Sequence, residues 1–144
     1  MTLTTQIQDP AVKNAIADDC VQLIDRQVSA KGGLSGIALK GAYGVVKGIG
    51  ADYIPGAIER LLPETSTALD PLWTEGVQKG DPVGYMSANS DRAADLILET
   101  TDARIARAGN PVLSKVYNKL RKSVKSDVIA AVPELATILK KHTS

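Results

Sequence analysis

Phenylalanine is absent from this chain, and its aromatic residues are limited to Trp73, Tyr43, Tyr53, Tyr85 and Tyr117. The core must therefore be built from Leu, Ile, Val and Ala, whose small volumes suit helix against helix better than a thick sandwich. A single cysteine, Cys20, excludes an intrachain disulfide. A single histidine, His142, leaves little material for a zinc site, a Cys-His pair or a Ser-His-Asp triad. No charge-free apolar stretch reaches the ~18 residues that a spanning helix needs. The opening MTLTTQIQDP has neither a basic start nor an apolar run. That argues against a secretory leader and makes the expected location cytoplasmic.

What is present points to one domain. At 144 residues the chain can bury roughly 70% of its unfolded surface. Its 44% hydrophobic and 23% charged content is ordinary for a globular protein. The net charge of +1 conceals an asymmetry. Residues 1–103 hold 8 basic and 14 acidic side chains, whereas residues 104–144 hold 9 and 2. Such halves can neutralise each other within the fold or between copies, or leave a basic face exposed.

Four prolines follow Asp or Asn: Asp9-Pro10, Asp70-Pro71, Asp81-Pro82 and Asn110-Pro111. An Asp or Asn N-cap accepts backbone N–H bonds, and Pro at the first helical position gives up an N–H that had no partner. Helical apolar spacing follows these starts. The pattern predicts helices from Pro10 to Gly32, Leu34 to Gly50, Pro55 to an interruption at Pro63, Pro71 to Lys79, Pro82 to Asn89, Ser90 to Ala108, and from Pro111 with a kink or restart at Pro133. No segment alternates with β-branched enrichment, so no sheet is expected. The expected fold is all-α: a single-domain helical bundle over residues 1–144, of about seven to nine helices, several short. Residues 1–8 and 142–144 are expected to be loose ends, with Cys20 buried and His142 solvated.

The stretch from Lys31 to Gly50 holds seven of the twelve glycines. Within it Gly41, Gly44 and Gly48 share one helical stripe with Ile37, at a cost on the order of 3 kcal/mol relative to alanine. The favoured reading is that a helix, from this chain or a second copy, crosses closely there. The sharper reading is an anion or cofactor cradle made by Gly32, Gly33 and Gly36 before a helix start, with Lys40 nearby. The P-loop ending Gly-Lys-Ser/Thr is missing, and the dinucleotide pattern would need a strand before it.

Two further clusters stand out. Asp91, Asp95, Glu99 and Asp102 form an acidic stripe that could hold a divalent cation, although bundle metal sites add a Glu-x-x-His that this chain lacks. A solvated flank is the plainer reading. Lys115, Lys119, Lys122 and Lys125 lie mostly opposite the apolar face of a later helix and could meet an anionic partner. A nucleic-acid motif and stacking aromatics are both missing there. The short turn Gly109-Asn110-Pro111 would let the acidic and basic helices pair as an antiparallel hairpin.

The segments KGGLSGIALKGAYGVVK, ALDPLW and KVYNKLRKSVKSDVIAAVPEL together resemble a bacterial all-helical family of about this length with no assigned function. The resemblance covers nearly the whole chain. It implies a small helical protein and transfers no catalytic residues.

The sequence leans away from an enzyme and offers no cofactor site beyond the weak glycine candidate. It favours a non-enzymatic binding or interaction protein that self-associates. One alternative is a small-molecule or anion-binding protein, conceivably an enzyme, with its site near the Gly32–Gly36 turn and Lys40. Another is an anionic-polymer binder using the 115–125 basic face.

Overall fold

The computed structural model describes residues 2–50 and 52–143, and among these all side chains except those of residues 34, 35 and 122. Among the described residues seven α-helices follow one another: α1 (Leu3–Gln6), α2 (Pro10–Ala30), α3 (Gly33–Lys47), α4 (Tyr53–Gln78), α5 (Pro82–Ala88), α6 (Ser90–Ala108) and α7 (Pro111–Thr143). The described residues contain no strand. The all-α single domain is therefore as the periodicity indicates.

Three of the four Asp/Asn-Pro starts act as local caps. Asp9 accepts from the Ala11 N–H at 2.9 Å, Asp81 from Gly84 at 2.9 Å and Asn110 from Leu113 at 3.1 Å. The fourth does not. Asp70 lies inside α4, which runs unbroken through Pro63 and Pro71. An interior proline costs ~3 kcal/mol in an isolated helix. Here Leu62, Leu69, Leu72 and Trp73 on the same helix are all buried, and that packing outweighs local propensity. Pro133 likewise sits within a continuous α7.

Asp70 serves instead as a cap at a distance. Its Oδ1 accepts from the Leu3 N–H at 2.6 Å and its Oδ2 from the Thr4 N–H at 3.1 Å, with the Thr4 hydroxyl donating as well. Leu3 and Ile7 are buried in the core, so residues 3–7 of the expected loose segment are in fact docked, and Met1 lies outside the described residues. The other end is also tied down. His142 Nε2 lies 2.6 Å from Asp19 Oδ2, which corrects the expectation of a solvated histidine.

The long helices pack antiparallel, and ion pairs mark their register. The Asp19–His142 hydrogen bond and the Arg26–Glu134 and Lys31–Asp127 ion pairs are successive rungs between α2, with its C-cap Lys31, and α7. Glu75–Arg92 and Glu64–Arg107 do the same for α4 and α6. Asp102–Arg121 and Asp95–Lys125 join α6 to α7. These pairs are mostly half-exposed and each contributes little to stability, so the register rests on the apolar faces beneath them.

The core is uneven along the bundle. At one end Leu3, Ile16, Leu69, Leu72 and Met86 are essentially fully buried. At the other end, where α3 joins the beginnings of α4 and α7, most apolar residues are only half-buried. The candidate site occupies this looser end.

Candidate functional site

The looser end contains an open apolar hollow of about 310 Å³. α2 supplies Cys20, Leu23, Ile24 and Val28, and α4 supplies Ile58, Leu61 and Leu62. α7 closes the far wall with Val124, Val128, Ala131 and Leu135, and Leu39 reaches in from α3. Gln27, Thr65 and Asp127 are the polar exceptions. Asp127 is already held by Lys31 at 2.5 Å.

The composition explains why a hollow forms here. Protein interiors normally pack to crystal density. With no phenylalanine in the chain and Trp73 packed elsewhere in the core, no aromatic side chain lines this space. Cys20 contributes a carbon-like wall. Burial, helped by the negative charge of Asp19, pushes its thiol up to about 12, so it stays protonated and unreactive.

A second, wider cleft of about 670 Å³ adjoins the first. It lies between the start of α4 and the end of α6, with Val46 of α3 and Leu113 of α7 at its edges. Arg60, Arg104 and Arg107 line it together with Tyr53, Ile54 and Ile105. Glu64 accepts from Arg107 at 2.7 Å and from Arg104 at 3.4 Å. None of these arginines stood out in the sequence. They are scattered along the chain, and only the antiparallel packing of α4 on α6 gathers them.

α3 is tied to α2 chiefly through Asp25, which accepts from the Tyr43 hydroxyl and lies 3.6 Å from Lys47 Nζ. Burial, and then this hydrogen bond, push the Tyr43 hydroxyl well above the usual tyrosine range. The inner side of the helix carries Gly36, Leu39, Ala42, Tyr43 and Val46, all buried or half-buried. Gly36 is required to be small, because a Cβ there would collide with the Lys31 carbonyl.

The glycine stripe faces the other way. Gly41, Gly44 and Gly48 are exposed, and a Cβ at Gly41 or Gly44 would meet nothing within 4 Å. Among the described residues no helix crosses there, so the in-chain form of the close-crossing expectation is overturned. Gly32 and Gly33 are exposed at the turn, with Gly33 at φ 72°, and Lys40 points away from the core. Gly36 is buried against Lys31, so the turn and Lys40 do not form one concave cradle.

The acidic stripe meets the basic one through Lys125. Lys125 Nζ lies 2.9 Å from Asp95 and 3.2 Å from Asp91. Arg121 and Tyr117 hold Asp102, while Glu99 is exposed. Among the described residues no group of three or more His, Cys, Asp and Glu side chains converges on a point that could hold a metal. The four carboxylates are therefore divided between helix pairing and solvent. Lys125 is drawn out of the proposed basic face by the same contacts, which leaves Lys115 and Lys119 exposed. The Lys122 side chain lies outside the described residues.

The sequence matches the model of a family of unknown function, DUF6918, over residues 3–143. The chain belongs to this family. Neither a curated protein nor a solved structure matches it. No described helix is long and apolar enough to cross a membrane.

Proposed function

We propose that the protein binds an apolar small molecule in the hollow beneath α3. The hollow of about 310 Å³ carries this reading. Small-molecule pockets span ~300–1,000 Å³ and are mostly apolar with a few polar groups, and this one fits that description. The hollow is open, so its apolar wall is wetted, and an apolar occupant would remove that wall from water. The proposed site takes its α3 wall from Leu39 and not from Gly32, Gly33, Gly36 or Lys40.

The test is a native mass spectrum of the purified protein followed by a denaturing one, then a decanol titration. Extra mass that leaves on denaturation, or saturable decanol binding that Ala131→Leu abolishes, supports the reading. A bare chain that also fails to bind decanol ends it.

The outward face of α3 supports a second reading, self-association. Ile37 is 70% exposed and Val45 49% exposed beside the open glycines. Close approach by α3 of a second copy would account for glycine where alanine is cheaper by about 1 kcal/mol each. Sedimentation of the full chain and of Gly41→Leu checks it. A monomer at all concentrations removes the interface.

A further inference from the structure

Ile58 and Leu61 line both the apolar hollow and the arginine-bearing cleft. The two spaces therefore share this part of the α4 wall. The cleft end is positively charged. Arg60, Arg104 and Arg107 line it, and Glu64 is the only carboxylate that pairs with any of them among the described residues. Glu64 sits 2.7 Å from Arg107 and 3.4 Å from Arg104, so its hold on Arg104 is the weaker. Arg60 pairs with no described carboxylate and lies back along α4, its Nη1 3.3 Å from where a Gly56 Cβ would be. One negative charge against three positive ones leaves an excess of positive charge beside an almost wholly apolar space.

We infer that the ligand is an amphipathic anion, with a hydrocarbon tail in the hollow and a carboxylate or phosphate head in the cleft against Arg60 and Arg104. This rests on the reading of the hollow as a ligand site. Guanidinium groups suit both heads, because their planar N–H pairs match two oxygens at once. Glu64 keeps Arg107 at the rim and leaves Arg60 and the outer N–H groups of Arg104 for the ligand. A neutral ligand would leave this charge unused, and a cationic one would be repelled by it.

Calorimetric titration of the full chain distinguishes these cases. The probes are decanoate, decyl phosphate, decanol and decyltrimethylammonium, all kept below micelle-forming concentrations. One or both anions should bind about tenfold or more tighter than decanol, with the ammonium weakest. The tighter anion identifies the head group. Arg60→Gln and Arg104→Gln should each remove most of the anion's advantage and leave decanol binding unchanged, with unaltered melting showing that the variants fold. Equal binding of all four probes would overturn the anionic head while leaving the hollow as a site. Tight anion binding that both variants retain would overturn the cleft as its location. Failure of every probe would overturn the hollow itself.

Discussion

Arg121 donates two hydrogen bonds to Asp102, Nε to Oδ1 at 2.8 Å and Nη2 to Oδ2 at 3.1 Å, and so ties α7 to α6. Tyr117, one turn earlier, donates its hydroxyl to the same Oδ1 at 2.5 Å. The Arg121 bonds foremost, with Tyr117 helping, hold the Asp102 carboxyl below its ordinary 3.8. A carboxyl depressed in the folded state contributes stability above its unfolded pKa and loses it as pH falls through the folded value. Asp102 is about two-fifths exposed, so screening limits the effect. Asp102→Asn should cost about 1 kcal/mol near neutral pH. The gap from the parent should narrow as the pH is taken below 3.8, which urea unfolding at a series of pH values would show.

Asp70→Ala removes the cap on α1 without touching that helix. It should cost about 1–2 kcal/mol. The distinguishing readout is local: the Leu3 and Thr4 amides, which Asp70 accepts in the parent, should lose their protection from hydrogen exchange by far more than the amides of α2 and α7.

The glycines of α3 should respond in opposite senses. Gly36→Ala drives a methyl into the Lys31 carbonyl and should lower the melting temperature. Gly41→Ala and Gly44→Ala meet open space and should each stabilise the monomer by about 1 kcal/mol. If α3 pairs with a second copy, the same two changes weaken the dimer. Melting temperature and sedimentation measured on the same samples separate the two effects.

Cys20 should resist iodoacetamide in the native protein at neutral pH, since its thiol is buried and pushed up to about 12. Mass spectra should show no adduct on the folded chain and one adduct after unfolding in denaturant. Rapid labelling of the native form would mean that the α2 wall of the hollow opens readily.

What could be read from the sequence was what depends on neighbours along the chain. Asp9, Asp81 and Asn110 act within three residues, so their caps were visible. Asp70 has the same signature but spends its carboxylate on a helix 67 residues earlier, where local rules cannot reach. Helical spacing correctly collected Gly41, Gly44 and Gly48 on one side. It could not say which side faces inward, because α3 is apolar on both. The pairing of the acidic and basic stripes followed from the short turn between α6 and α7. The hollow did not, since sequence marks which residues are apolar but not how well they fill the space they enclose. Arg60, Arg104 and Arg107 form no run or motif, and only the packing of α4 on α6 brings them to one cleft.

The uneven core gives the bundle two levels of resistance to opening. The end built on Leu3, Ile16, Leu72 and Met86 should open only with global unfolding. α3 and the neighbouring starts of α4 and α7 have fewer buried side chains to lose and should open in a separate, less costly step. A ligand in the hollow would raise the cost of that smaller step first. Slowed amide exchange in α3, with the tight end unaltered until the last, would then report occupancy of the site before any change in the overall melting curve.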